Sequence, residues 1–529
     1  MDALQRKAIE IIAAERARLS DFHMRIFDYA EPAWREYRSA EAYVNLLRTE
    51  GFHVEESSAG MPTAFCATWE NGRGGPTVGM YAEYDATPGY SQDPVPYRSP
   101  RAGLHKWAPG FTDSHHTLGV GSLTGVLAAK RALEGTNVPV RLKFFGEPAE
   151  KMCGSKVTHA AHGYYDDLDA AISYHPYWHN TALWDTLGCY YWSVMLTFEC
   201  EDEDPWGDFA VDAAMGSHNR VRSPGATDAL AMMLMNTKVV KENMFPRIGL
   251  WSLNEAIVGS NFATADNLPA RIGQIQYSWR SPSHEVQETI LHTLLRTAAG
   301  VANMSNTRLS MRWLSKVRPG LPNHALTQAT FDNLAEFGAP VFEESVYRHA
   351  AALESELGFT PGEDPFMPQN TTVTPLEVTE ANMRFNLPQW QTHSGADDYT
   401  EYTWHCPTAR FFTSRPFLRQ LGGSYWHWAN NTFNGLRAAI DPTWVRAGEV
   451  IATTVIRYVQ DDALREAART EFEERRATSE ERLLRPAFDG DFAPPHDLPW
   501  PEYVTTKRGH EWVLPHTDNF GELLTRPGA

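Results

Sequence analysis

PTVGMYAEYDA (residues 76–86), TLGVGSLTGVLAAKRALEG (117–135) and VRLKFFGEPAE (140–150) decide the fold class of this chain. The first and third are short apolar runs that read as buried strands. Between them lies a small-residue stretch of helical length, stopped by Gly135. Strand, helix, strand in that order predicts an α/β sheet with ligand groups at the strand ends. LDAAISYHPYW (168–178) supplies another strand, and SAEAYVNLLRTEGFHVEES (39–57) a helix ending at Gly51 followed by an extended segment.

Outward from residue 190 the texture changes. YYWSVMLTFEC (190–200), ARIGQIQYSWRSP (270–282) and RLSMRWLSKVRP (308–319) read as strands, interleaved with helices over 225–243 and 284–304. That order suits a small α+β module with helices on one face of an antiparallel sheet. The α/β texture resumes after LPNHALTQATFDNLAEFG (321–338) and ends in a long helix around residues 444–459. The expected organisation is therefore a catalytic domain in two parts, 1–190 and 319–470, with a mixed central sheet flanked by helices. An α+β module, 191–318, is inserted between them, and 471–529 forms a C-terminal extension.

At 529 residues, two or three domains are expected. A formal charge of −19 argues against nucleic acid or an anionic membrane as partner, because phosphates need a basic face. Five scattered cysteines do not read as a disulfide framework. No apolar run reaches the ~18 residues of a membrane span, and MDALQRKAIEIIAAERARL (1–19) lacks the apolar core of a signal peptide. The expectation is a cytoplasmic protein.

Two stretches carry the chemistry: GFTDSHHTLGVG (110–121) and FFGEPAEKMCGSK (144–156). Each puts acids or imidazoles where a strand runs into a helix, a place suited to metal-assisted hydrolysis. For Asp113 the competing reading is an N-cap on the following helix. For Lys151 it is a solvent-facing side chain, with Glu147 completing an acidic pair with Glu150. Isolated histidines such as His175 and His427 are more often structural than ligating.

IFDYAEPAWREYRSAEAYVNLLRTEGF (26–52), AEYDATPGYSQ (82–92), GEPAEKMCGSK (146–156), ISYHPYW (172–178) and SYWHW (424–428) occur in that order. Together they resemble the metal-dependent amidohydrolase family of aminoacylases, indoleacetyl-amino-acid hydrolases and aminobenzoyl-glutamate hydrolases. The resemblance covers roughly residues 20–460. It implies a lid for the inserted module, a homodimer or higher homo-oligomer formed through that lid, and a small-molecule substrate. It also implies a divalent-metal site. Asp113 stands where the family has a cysteine ligand, and hard oxygen in place of soft sulfur moves preference from zinc towards manganese. His115, His175 and His427 fall on the remaining ligand positions.

Of the family's paired glutamates, the first is the general base and the second binds metal. Here Glu150 is followed by Lys151, whose ammonium cannot ligate a cation. One ion rather than two is therefore expected, manganese or zinc, held by Asp113, His115 and His175. Glu83 and Asp85 are expected to orient a ligand imidazole. In the lid, His218 resembles the histidine that polarises the substrate carbonyl, Asn267 the asparagine accompanying it, and Arg280 could grip a substrate carboxylate. Tyr174, Tyr177, Trp178, Trp426 and Trp428 flank the ligand histidines and suggest a flat, aromatic substrate. Three functions stay open: amide hydrolysis of an N-acyl amino acid type compound, hydrolytic deamination of an aminoaromatic acid as by 5-nitroanthranilate aminohydrolases, and an inactive binding subunit.

Overall fold

The computed structural model describes residues 1–101, 104–200, 225–260, 270–506 and 509–512. The chain opens with helix α1 (Ala3–Tyr29), whose N-cap Asp2 accepts from Gln5 N while the Gln5 side chain caps Asp2 N in return. α2 (Tyr37–Thr49), β1 (His53–Glu56), β2 (Phe65–Asn71) and β3 (Thr77–Ala82) follow. Then come α3 (His115–Leu133), β4 (Val140–Gly146), α4 (Ser155–Ala161), β5 (Ala170–Tyr177) and β6 (Thr181–Ala182).

These strands, with the late strand β11 (Thr408–Ser414), form one seven-stranded sheet of order β1-β2-β4-β3-β5-β11-β6. The inner four, β4-β3-β5-β11, run parallel, whereas β1, β2 and β6 pair antiparallel at the margins. All six residues of β3 are buried, as its unbroken apolar run predicts for a strand covered on both faces. The small residues of α3 allow it to lie almost entirely buried. A Cβ at Gly119 would fall 2.3 Å from the Tyr43 hydroxyl and 2.7 Å from the Glu83 carbonyl oxygen, so only glycine permits this approach of helix to strand end.

A second sheet, order β10-β7-β9-β8, is antiparallel throughout. It comprises β7 (Tyr190–Cys200), β8 (Ser252–Ser260), β9 (Ile272–Ser281) and β10 (Thr307–Val317), covered by α5 (Ala226–Met244) and α6 (His284–Ser305). In β9 the buried residues alternate, with Ile275, Tyr277 and Trp279 turned towards a core of its own. β8 is a strand the sequence reading lacked. It is an edge strand, and Asn254 and Glu255 break the apolar pattern that would have marked it.

The remainder comprises α7 (His324–Phe337), α8 (Glu344–Glu356), α9 (Leu376–Arg384), α10 (Trp428–Thr432), α11 (Arg437–Gln460) and α12 (Asp462–Ala477). β12 (Tyr503–Thr506) and β13 (Gly509–Trp512) pair as a hairpin. α11 packs against α3 and α1 over the central sheet. The segment before the hairpin returns to the catalytic region. Leu498 and Trp500 are buried in one cluster with Trp34, Met61 and Ala149, and Arg35 donates to the carbonyls of His496 and Leu498. Among the described residues, no helix is long and apolar enough to cross a membrane.

Candidate metal centre

The parallel strands β4, β3 and β5 end at one edge of the sheet, where crossover connections leave side chains free to converge. Glu150 follows β4, Glu83 and Asp85 follow β3, His175 lies near the end of β5, and Asp113 and His115 stand at the start of α3. Glu150 occupies a tight turn between two residues of left-handed backbone, Ala149 at φ 56° and Cys153 at φ 49°. Glu36 secures that turn: its Oε1 accepts from Ala149 N at 2.7 Å.

His115 is fully buried. Its Nδ1 donates to Asp85 Oδ1 at 2.5 Å, and Asp85 Oδ2 accepts from Lys151 N at 2.9 Å. Its Nε2 has no hydrogen-bond partner. Facing that nitrogen are Glu150 Oε2 at 3.2 Å, Glu83 Oε2 at 3.5 Å and Asp113 Oδ2 at 3.6 Å. His175 Nδ1 lies 2.8 Å from the Pro176 carbonyl; because a carbonyl only accepts, the proton sits on Nδ1 and the Nε2 lone pair faces Asp113 Oδ1 at 3.3 Å.

These residues fit a divalent ion. Donors spaced by about 3–3.6 Å are what ligands at 2.0–2.2 Å from a common ion require, and a buried imidazole nitrogen without a partner is otherwise costly. The groups able to share an ion include Asp113, His115 and Glu150, and also Glu83, His115 and His175.

Lys151 does not point to solvent. Its Nζ meets Asp113 Oδ2 at 2.5 Å and stands 3.5 Å from Glu150 Oε2. Burial opposes ionisation of Asp113 and Glu150, but Lys151 together with the neighbouring imidazoles, His115 for both and His175 for Asp113, outweighs it and holds both carboxyls well below their usual range. Burial likewise opposes charging of His115, yet Asp85, with Asp113 and Glu83, pushes its pKa well up. Glu147 does not complete an acidic pair with Glu150. It is bound instead by His159, Tyr165 and Tyr402.

The centre opens into a cavity of about 340 Å³. Asp113, Glu150, Lys151 and His175 line it, with Arg280, Asp397 and Arg410 opposite. Its aromatic wall is Tyr177, Phe412, Tyr425 and Trp426. A larger cleft of about 700 Å³, reaching from His284 to Trp404, contains none of the grouped metal-type side chains.

Several expected residues stand elsewhere. Tyr174 is buried within the sheet, its hydroxyl against Thr413 Oγ1, because it alternates with His175 along the strand. Trp178 lies tilted against His179 and does not line the cavity, and Trp428 begins α10 and packs on another core. His427 is the N-cap of α10: its Nδ1 accepts from Ala429 N at 3.2 Å, and no grouping of metal-type residues among the described ones includes it. Arg280 does line the cavity, with its guanidinium over the Tyr191 ring. His218 and Asn267 lie outside the described residues.

Sequence reasoning missed four residues. Lys156, fully buried, donates to Glu83 Oε1 and Asp398 Oδ1, both at 2.7 Å. Arg410 engages Asp397 and donates to Tyr81 and Ser173. Paired acids in a Gly- and Ser-bearing loop just before a strand, SGADDYTEY (394–402), were the available signal. Glu83 was expected only to orient a ligand; Asp85 takes that position, and Glu83 points an oxygen at the centre.

No family model matches the chain. Over 357 residues it is 25% identical to one of the p-aminobenzoyl-glutamate hydrolase subunits of Escherichia coli (strain K12), covering 68% of this chain and 70% of that protein. Over 293 residues it is 23% identical to the Xaa-Arg dipeptidase of Mus musculus, covering 54% of this chain and 59% of that protein. Among solved structures it is similar to an aminobenzoyl-glutamate utilization protein from Klebsiella pneumoniae, at 14% identity and a TM-score of 0.47, covering 82% and 98% of the two chains. The curated relatives carry the names of amide and peptide hydrolases, and the chain's similarity is to the metal-dependent amidohydrolases and peptidases that include the aminobenzoyl-glutamate hydrolases.

Proposed function

We propose that this protein hydrolyses the amide bond of a small, aromatic, carboxylate-bearing N-acyl amino acid type compound. The observation that carries the reading is the fully buried, unpartnered His115 Nε2 facing three carboxylate oxygens beside His175. Asp113, His115 and His175 would hold one divalent ion, manganese or zinc, whose Lewis acidity lowers the pKa of water towards neutrality. Glu150, kept ionised, would serve as the base that takes a proton from the attacking water and returns it to the leaving amine. Arg280 binds the substrate carboxylate, and Tyr177, Phe412, Tyr425 and Trp426 cover the flat part of the molecule. His218 and Asn267 would serve the carbonyl from the lid. The lid would also carry the homodimer contact; Met235, Val239 and Ile257 are exposed on it.

A second reading, hydrolytic deamination of an aminoaromatic acid, is favoured by Lys151, which brings an ammonium 5.9 Å from the Tyr425 ring in a cavity where negative charge would build on a substrate ring. The test is to incubate zinc- or manganese-loaded protein with aromatic N-acyl amino acids, starting with p-aminobenzoyl-glutamate, and with aminobenzoates. A released amino acid supports the first reading and released ammonia the second. Neither product with either metal sinks both and leaves a binding subunit.

A further inference from the structure

On another wall of the centre three carboxylates converge. Glu150, Asp397 and Asp398 each bring an oxygen within 4.8 Å of the others. Asp398 is fully buried; Lys156 occupies its Oδ1, and its Oδ2 has no hydrogen-bond partner. Glu83, also fully buried, likewise spends Oε1 on Lys156 and leaves Oε2 without one. Asp397 has one oxygen engaged by Arg410 and the other by Tyr399 N. Glu83, Glu150, Asp397 and Asp398 thus crowd one buried wall around Lys156 and Arg410. Carboxylates crowded in a buried site need a counter-charge, and two of their buried oxygens, Glu83 Oε2 and Asp398 Oδ2, are without a hydrogen-bond partner to supply it.

We propose that Glu150, Asp397 and Asp398 form a second cation position, distinct from the one at Asp113, His115 and His175, for a hard divalent ion such as Mn²⁺ or Mg²⁺. Its donors are all carboxylate oxygens, the set that such ions prefer over zinc. The position rests on the proposed metal centre, because Glu150 stands between the two. Lys151 removes a carboxylate on the Asp113 side, where the family pattern has its second glutamate; Asp397 and Asp398 supply two on the other side.

The experiment starts from full-length protein stripped of metal and loaded with one equivalent of zinc. Manganese is then titrated in, with calorimetry and the electron-paramagnetic-resonance signal of free Mn²⁺ as readouts. One manganese per chain is expected beside the zinc. Asp397→Asn should weaken it at least tenfold with zinc content unchanged, and His175→Ala should lose zinc while still taking manganese. Asp398→Asn orphans buried Lys156 and can unfold the chain, so partly exposed Asp397 is the decisive position, with circular dichroism as the folding control. No manganese beyond the zinc, or equal manganese affinity in Asp397→Asn, overturns the proposal. A protein that takes manganese through Asp397 but no zinc removes the histidine position and leaves this one standing.

Discussion

Two buried carboxylate–imidazole pairs have their carboxylates just past the ends of the neighbouring strands β4 and β3, and they differ in one respect. In the first, Glu147 accepts from His159, Tyr165 and Tyr402, and the far nitrogen of His159 meets Ser58 Oγ at 2.7 Å. In the second, Asp85 holds His115 Nδ1, and the far nitrogen has no partner. Both imidazoles are fully buried. A buried polar network with every atom paired is a structural fixture, whereas one atom left unpaired marks the place where a ligand completes it.

The sharpest way to break that contrast is at Glu150, next to the unpaired nitrogen. Glu150→Gln should cut turnover of any substrate the wild type accepts by about 10²–10⁴-fold, the usual contribution of a positioned acid–base group, with bound zinc unchanged by elemental analysis. Unaltered turnover would remove Glu150 from the chemistry. The satisfied pair should respond in stability instead. His159→Ala strands Glu147 in the interior and should cost about 3–5 kcal/mol by urea denaturation, while the folded fraction keeps its zinc. Loss of zinc without loss of stability would reverse the roles of the two pairs.

Asp85→Asn probes the second pair through its supporting carboxylate. It should weaken zinc affinity about 10–100-fold, as outer partners of a ligand imidazole typically do, measured by competition with a chelating dye. The smallest effect concerns a third imidazole, which lacks a carboxylate. Burial, with Arg437 adding to it, lowers the pKa of His23 to about 3, and its Nε2 meets Thr117 Oγ1. The unfolded chain binds that proton near pH 6.5 and the folded one does not, so this group's stability is complete above 6.5 and falls as pH drops towards 3. Between pH 6.5 and 5.5 the loss should be about 1 kcal/mol. His23→Asn should flatten that slope; an unchanged slope would show that His23 protonates in place.

Much of the architecture was legible because it rests on local patterns. The run from Thr77 to Ala82, the small-residue helix and the alternation in Ile272–Ser281 each state their own burial. The start of α3 and the end of β5 were equally visible, and so were Asp113, His115 and His175. What escaped depends on distance along the chain. Asp398 reaches Lys156 from across the inserted module, and nothing within either segment names the other. Tyr174 and Tyr177 look alike in sequence, but only Tyr177 lines the cavity, Tyr174 lying inside the sheet. His427 is a related case: an imidazole beside tryptophans suits a helix cap as well as a ligand, and here its Nδ1 caps α10.

Trp500 has a consequence for synthesis. It and Leu498 share a buried cluster with Ala149, the residue before Glu150, although they lie far from it along the chain. A chain emerging from the ribosome can pair its early strands long before that contact exists. The turn that presents Glu150 gains that cover only once residue 500 has been made, so a product stalled or trimmed before it would carry the ion ligands on an unbraced base.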